Sequence, residues 1–232
     1  MSSTSDHLSW GRFPRATPRR VLTPGWTDEV ACTSAIEPML AYGCGRSYGD
    51  VCLNDGGTVV AMDRCDRILR FDAQTGVVAA EAGCTIAALL SIIVPKGWFV
   101  PVTPGTKHVT LGGAVANDVH GKNHHRVGTF GCHVRGFTLR RSTGDDVWCS
   151  PSENADLFRA TIGGLGLTGI ILDVELALIP IVSRRITEES LKAGSLAEVV
   201  ELTEASDLEW DYTVSWVDVT ATGRGLGKGL VL

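Results

Sequence analysis

The apolar residues of this chain fall in short blocks whose period changes from one segment to the next. Thr58 to Asp63, Arg67 to Phe71 and Gly76 to Ala82 are short apolar runs, the last two separated by the polar turn Asp72 to Thr75. Runs of this length, bounded by turn residues, predict strands. The next block differs. Thr85 to Val94 is dense in alanine, leucine and isoleucine, starts at a threonine and stops at Pro95 to Gly97, so it predicts a capped helix. Trp98 to Val102 reads as extended, because Pro101 and Pro104 oppose helix. Leu111 to Val119 predicts a short helix rich in small residues, and His133 to Arg140 with Asp146 to Cys149 a hairpin turning at Ser142 to Asp145. A short helix over Asn154 to Ala160 and a β-branched, partly alternating strand over Thr168 to Ile179 complete this part. Helices and strands interleave without a regular βαβ repeat, which gives an α+β fold.

The two ends read differently. Met1 to Arg20 shows no hydrophobic period and reads as loop, with Trp10, Phe13 and Pro14 lying over the body of the domain. Thr27 to Ile36 predicts a short helix that ends ahead of Pro38. Past Pro180 the texture changes: Leu196 to Leu202 reads as a short amphipathic helix and Asp211 to Val219 as a strand. Gly223 to Leu232 reads as a glycine-rich run without a terminating element. The expected boundary lies near Ile181, with one domain over residues 1–180 and the incomplete start of another over 181–232.

Composition narrows the function classes. The net charge of -5 and sequence pI of about 5.7 give no electrostatic case for nucleic acid or an anionic membrane as the main partner. The densest apolar stretch, Ile86 to Val94, is too short to span a bilayer, and the first 20 residues have no apolar h-region. Seven cysteines without a CxxC suggest neither a disulfide framework nor a zinc site, and the expected setting is reducing and cytoplasmic. Glycine is the anomaly. There are 27, gathered at 43–57, 105–136 and 163–169, where backbone must turn sharply or approach a ligand closely.

Three constellations follow from those clusters. In Tyr42-Gly43-Cys44-Gly45-Arg46-Ser47-Tyr48-Gly49-Asp50, closely spaced glycines let successive N–H groups point into one concavity. That suits a phosphate or pyrophosphate; the alternative is a structural multi-turn loop. The segment Pro104 to Gly131 permits a flat ligand against its backbone and carries His120, Lys122, Asn123 and His124. His120 and His124 stand at metal-ligand spacing, but Gly121 disfavours a helix between them and no third ligand is in sight, so no metal is expected. Gly163 to Gly169 matches GxGxxG from Gly164 onward, yet a helix precedes it and a strand follows. That is the reverse of a dinucleotide-binding turn, and the reading is a closely packed connection.

The first two constellations, in this order and at this distance, resemble the FAD-binding domain of the vanillyl-alcohol oxidase and p-cresol methylhydroxylase superfamily. The carrying text is GRSYGD at 45–50, PGT at 104–106, GGA at 112–114, HGKNHH at 120–125 and GLTGII at 166–171. The resemblance implies an FAD-binding region of two α/β subdomains followed by a substrate domain. It implies that Ala41, Tyr42, Gly43, Cys44, Gly45, Arg46, Ser47, Tyr48, Gly49, Asp50 and Val51 hold the pyrophosphate. Gly105, Thr110, Leu111, Gly112, Gly113, Asn117, Asp118, Val119 and His120 would lie along the flavin, and Ile171 would touch it. His120 and Lys122, with Tyr48 nearby, become the catalytic candidates facing the substrate, and Trp216 resembles a substrate-side position. Some related enzymes link flavin to a histidine in the first loop; Arg46 stands in that place, so noncovalent FAD is expected.

The implied activity is oxidation of a carbinol on a sugar, an alcohol or a polyprenyl-phosphate sugar by hydride transfer to flavin, with a short-chain reductase as companion. Members of the superfamily continue past position 232 and place most of the substrate domain there. The alternatives are an FAD-binding fragment without turnover, and a metal- or protein-interaction module built on the histidines.

Overall fold

In a computed structural model of the chain, residues 7–30 and 38–232 are described. The chain begins with a small parallel sheet in which β1 (Arg20–Leu22) and β2 (Met39–Tyr42) flank β3 (Thr58–Ala61). All four β3 residues are buried, as the middle strand of a covered parallel sheet should be. The hydrophobic pattern predicts β3 but not its neighbours. β1 and β2 are short and lie beside prolines, and their strand character comes from pairing with β3 rather than from their own composition. Ala41 and Tyr42 therefore belong to β2, and the glycine loop starts at Gly43. Of the helix expected over Thr27 to Ile36, the described residues hold a single 3-10 turn, Thr27–Glu29, and residues 31–36 lie outside them.

The middle of the chain follows the sequence reading closely. β4 (Ile68–Asp72) and β5 (Val77–Glu81) pair around the expected turn. Helix α1 (Ile86–Ile93) is capped by Thr85, whose hydroxyl accepts from the Ala88 N–H at 3.1 Å. It runs into a 3-10 turn at Val94–Lys96 that Gly97 closes with φ 82°. After β6 (Trp98–Phe99) come α2 (Leu111–Ala116), α3 (His124–Val127), β7 (Val134–Arg140), β8 (Asp146–Cys149), α4 (Ala155–Thr161), β9 (Ile170–Ala177) and β10 (Ile179–Pro180). β10 pairs with β6, while the long strands form an antiparallel sheet in the order β4-β5-β9-β7-β8.

β9 is the strand that joins the parts. Its register against β7 shifts between Thr138 and Leu139, so the alternation changes phase there, and Ile170 and Leu172 enter a small core with Val30, Val60, Met62 and Cys65 beneath the parallel sheet. Ile171, Val174 and Leu176 enter the main core with Ile86, Leu89 and Ile93 of α1, Leu111 and Val115 of α2, and Phe137 and Leu139 of β7. The predicted extended run Trp98 to Val102 is regular only at β6, but Val100 and Val102 are fully buried and fill the same core.

Beyond residue 181, β11 (Leu191–Ala193), α5 (Leu196–Glu209), β12 (Ser215–Val217) and β13 (Gly229–Val231) build a three-stranded antiparallel sheet in the order β11-β13-β12. Here the structure corrects the sequence reading three times. The helix is fourteen residues long, held at its start by reciprocal bonds between Ser195 Oγ and the Glu198 N–H and between Glu198 Oε2 and the Gly194 N–H. The strand expected over Asp211 to Val219 contracts to β12. The terminal glycine-rich run contains the central strand, β13. Gly229 is there for close packing: a Cβ would meet the Trp216 carbonyl and lie 2.9 Å from Val199 Cγ2. Ala193, Val199 and Val231 form a small core of this part, separate from the other two. Among the described residues no helix is long and apolar enough to cross a membrane.

Candidate functional site

A cavity of about 680 Å³ opens where the carboxyl end of β2, the start of α2, the start of β9 and the segment 104–109 meet. The mouth of a parallel pair at its carboxyl ends is where open α/β sheets bind ligands, and the volume falls in the range of small-molecule sites. Ala41, Tyr42, Gly43, Cys44, Gly45, Arg46, Ser47, Tyr48 and Val51 line it on one side. Gly105, Thr110, Gly112, Gly113, Asn117, Val119, His120 and Ile171 line it on the others. Residues far apart in sequence thus converge on one space.

The first wall is the glycine loop. Gly45 holds φ +60°, and a Cβ there would collide with the Tyr42 hydroxyl and the Leu8 carbonyl. Gly43 packs against Thr110, which also caps α2 by accepting from the Gly113 N–H at 3.2 Å. The loop and the helix start are therefore pressed together by one threonine. The N–H groups of Cys44, Gly45 and Arg46 donate to no acceptor among the described residues. Three successive open donors on a cavity wall suit an anionic diphosphate. Burial pushes the Tyr42 hydroxyl up to about 12, and it donates to the Leu8 carbonyl at 2.6 Å. Burial also pushes up the Cys44 and Cys52 thiols, so neither brings negative charge to the loop at neutral pH.

The opposite wall is flat and small. At Gly105 a Cβ would meet nothing within 4 Å, so the glycine leaves open the space a planar ring needs. Gly112 donates to the Ala82 carbonyl at 2.8 Å, and a Cβ would sit 2.9 Å from that of Ala82. Ile171, buried, closes the floor. Donors for a diphosphate, a glycine-lined slot and an apolar floor fit a flavin dinucleotide.

His120 reaches this cavity on an exposed bridge to Thr129, its ring 5.7 Å from that of His124. Lys122 does not. Two residues on, it lines a second cavity of about 500 Å³ with Phe99, Arg184, Trp210 and Tyr212. Asn123 turns inward, is buried, and anchors the segment by donating to the Pro101 carbonyl at 2.8 Å. The polar groups of the histidine segment therefore face three directions instead of converging. Among the described residues no cluster of histidine, cysteine and carboxylate groups stands at metal-binding distance.

Four other expected site residues lie off the cavity wall. Leu111 is fully buried in the main core. Asp118, at φ 41°, accepts from the Gly131 N–H at 2.8 Å and so supports the turn below the wall. Gly49 and Asp50 are exposed beyond the loop's crest. Conversely, Trp10, Met62, Ala82, Leu165, Gly166 and Gly169 line the cavity without having been singled out as cofactor contacts. The glycine clustering at 163–169 was a usable signal for the last two; nothing local to Trp10 or Met62 marks them.

Residues 18–150 match the FAD binding domain family. The chain is 36% identical over 238 residues to decaprenylphosphoryl-beta-D-ribose oxidase of Mycolicibacterium smegmatis, covering 99% of this chain and 52% of that protein. It is 28% identical over 179 residues to L-gulonolactone oxidase of Bos taurus, covering 74% of this chain and 40% of that protein. A third relative, Delta(24)-sterol reductase of Homo sapiens, is 30% identical over 113 residues, 49% of this chain and 22% of the relative. The chain thus spans about half the length, or less, of the curated relatives it matches. The match runs from the parallel sheet through the glycine loop and the histidine segment, the parts that wall the larger cavity, and the chain belongs to the FAD binding domain family.

Proposed function

We propose that this chain is the flavin-binding half of an FAD-dependent oxidoreductase that oxidises a carbinol of a sugar or a lipid-linked sugar. One observation carries the reading: open N–H donors of the glycine loop face the small-residue wall of α2 and His120 across a single cavity. Bound flavin supplies the hydride acceptor. The protein's own part is positional. Cys44 to Arg46 hold the diphosphate, Gly105 and Gly112 admit the ring, and Ile171 excludes water from beneath it. His120 stands at the reacting side as the group that takes up or gives the hydroxyl proton. Lys122 and Tyr48 are assigned to the substrate, Lys122 from the neighbouring cavity and Tyr48 from the exposed rim.

The flavin is held noncovalently in this reading, because arginine at 46 cannot form the bond a histidine makes. Residues 1–180 are read as the two-subdomain FAD-binding region and 181–232 as the start of a substrate domain. The names of two relatives, a decaprenylphosphoryl-ribose oxidase and a gulonolactone oxidase, support a sugar-like substrate. A short-chain reductase acting on the oxidised product, and a reducing cytoplasmic setting that suits the free cysteines, belong to the same reading.

Anaerobic mixing of the FAD-loaded chain with sugar alcohols, aldonolactones and polyprenyl-phosphate pentoses tests it. Bleaching of the flavin by one of these classes is the expected result. Stable flavin uptake with no bleaching supports the second reading, an FAD-binding fragment without turnover.

A further inference from the structure

Residues 7–12 are fastened to the glycine loop rather than laid over it. The Trp10 N–H donates to the Ser47 carbonyl at 2.9 Å, and the Tyr42 hydroxyl donates to the Leu8 carbonyl at 2.6 Å. The His7 ring meets the Tyr42 ring edge-on, with centroids 4.9 Å apart. A turn closed by the Arg12 N–H on the Ser9 carbonyl at 3.1 Å carries the indole between these fixed points. Trp10 is half-exposed, yet its ring forms part of the wall of the larger cavity.

What the indole holds is a cation. The Arg46 guanidinium lies 5.2 Å from the centre of the Trp10 ring. Among the described residues it makes no ion pair and no hydrogen bond. A planar guanidinium stacks on an aromatic face in a way an ammonium does not, and its fork remains free to bind a phosphate with two bonds. It stands next to the open N–H groups of Cys44 and Gly45. Indole, guanidinium and main-chain donors therefore share one end of the cavity.

We infer that residues 7–12 clasp the dinucleotide site, with Trp10 walling the cavity at its loop end and positioning the Arg46 guanidinium for the diphosphate. This rests on the FAD reading above and adds a positioning residue contributed from outside residues 18–150, the stretch that matches the family. Removing the indole frees Arg46 to other rotamers, so the loss falls on ligands that carry a diphosphate and spares those that do not.

The test uses the 232-residue chain stripped of flavin, titrated with FAD and separately with riboflavin and followed by flavin fluorescence. Trp10→Ala and Arg46→Lys should each weaken FAD about tenfold while riboflavin binding changes less than about twofold. Trp10→Phe, which keeps a ring, should fall between wild type and Trp10→Ala, and it carries the test if thermal melting shows that Trp10→Ala does not fold. Unchanged FAD affinity in the folded tryptophan variants overturns the clasp. So does an equal loss for FAD and riboflavin, which makes Trp10 a part of the general fold. A wild-type chain that takes up neither flavin removes the FAD reading itself, and the clasp with it.

Discussion

Arg126 reaches from the histidine segment to the far end of α5, where its Nε donates to the Trp210 carbonyl at 3.0 Å. Its Nη2 also meets the Asp207 and Leu208 carbonyls at 3.2 and 2.9 Å, so one guanidinium satisfies three carbonyls at the helix end. The Thr213 N–H adds a bond to the Lys122 carbonyl at 3.1 Å. These contacts brace the segment bearing His120 against the part of the chain beyond residue 181. Arg126→Ala should cost about 1–2 kcal/mol, less than three buried charged bonds would suggest because the side chain is partly exposed. Limited proteolysis should then cut within residues 181–232 sooner than in the wild type. An unchanged cleavage pattern would show that the small core of Ala193, Val199 and Val231 holds that part in place by itself.

A second bracket lies under the parallel sheet. Glu81 is buried, and Arg67 pairs with it at 3.0 Å while stacking 3.6 Å from the centre of the Trp26 ring. Arg67→Ala leaves a buried carboxylate without its partly exposed cation, which should destabilise the protein by about 2 kcal/mol and lower its melting temperature by roughly 4–8 °C. The double variant Arg67→Ala with Glu81→Gln should recover part of that loss. Equal melting temperatures for the single and double variants would mean that the arginine acts by packing on Trp26, not by charge.

Asp173 provides the pH dependence. It faces Glu81 directly across the β5–β9 pair, and burial pushes its carboxyl above the ordinary 3.8 while Thr138 pulls the other way. An acid with a raised folded value opposes folding when ionised. That penalty is full above the folded value and disappears as pH falls to about 3.8. Asp173→Asn should therefore melt higher than wild type at neutral pH, with the difference closing as pH falls through that window. A difference that stayed constant down to pH 3.8 would contradict the assignment.

The sequence made legible what depends on local pattern. The capped helix at Thr85, the β4–β5 hairpin and the β-branched strand β9 were all readable, because each carries its own composition and punctuation. The glycine loop and the histidine segment stood out by their spacing, although that spacing alone also allowed a structural multi-turn loop and a structural role for the histidines. What escaped was set by distant partners. Met39 to Tyr42 is a strand because β3 lies beside it, and Gly229 sits mid-strand because Trp216 and Val199 leave no room for a side chain. Lys122 and His120 share a motif, but the anchoring of Asn123 on Pro101 turns them toward different cavities. Trp10 enters the site through contacts that no window of neighbouring residues contains.

The roles of His120 and Lys122 separate in kinetics. In a form of the protein that reduces its flavin, the proposed role predicts that His120→Ala retains FAD and slows flavin reduction by about 10²–10⁴-fold, the usual worth of a general acid or base. Lys122→Ala should mainly weaken substrate binding, as expected for a group in the adjoining cavity. Release of FAD by both variants would assign the two residues to the architecture of the cofactor site instead.

The central claim is that the glycine loop and the wall facing it hold FAD without a covalent bond. The most direct measurement is to incubate the purified chain with FAD, remove free flavin by gel filtration, precipitate the protein with acid and record visible spectra of both fractions. The account predicts a yellow protein whose flavin passes entirely into the supernatant as FAD. A chain that emerges colourless from gel filtration would contradict the cofactor assignment, and flavin retained on the denatured pellet would contradict the role given to Arg46.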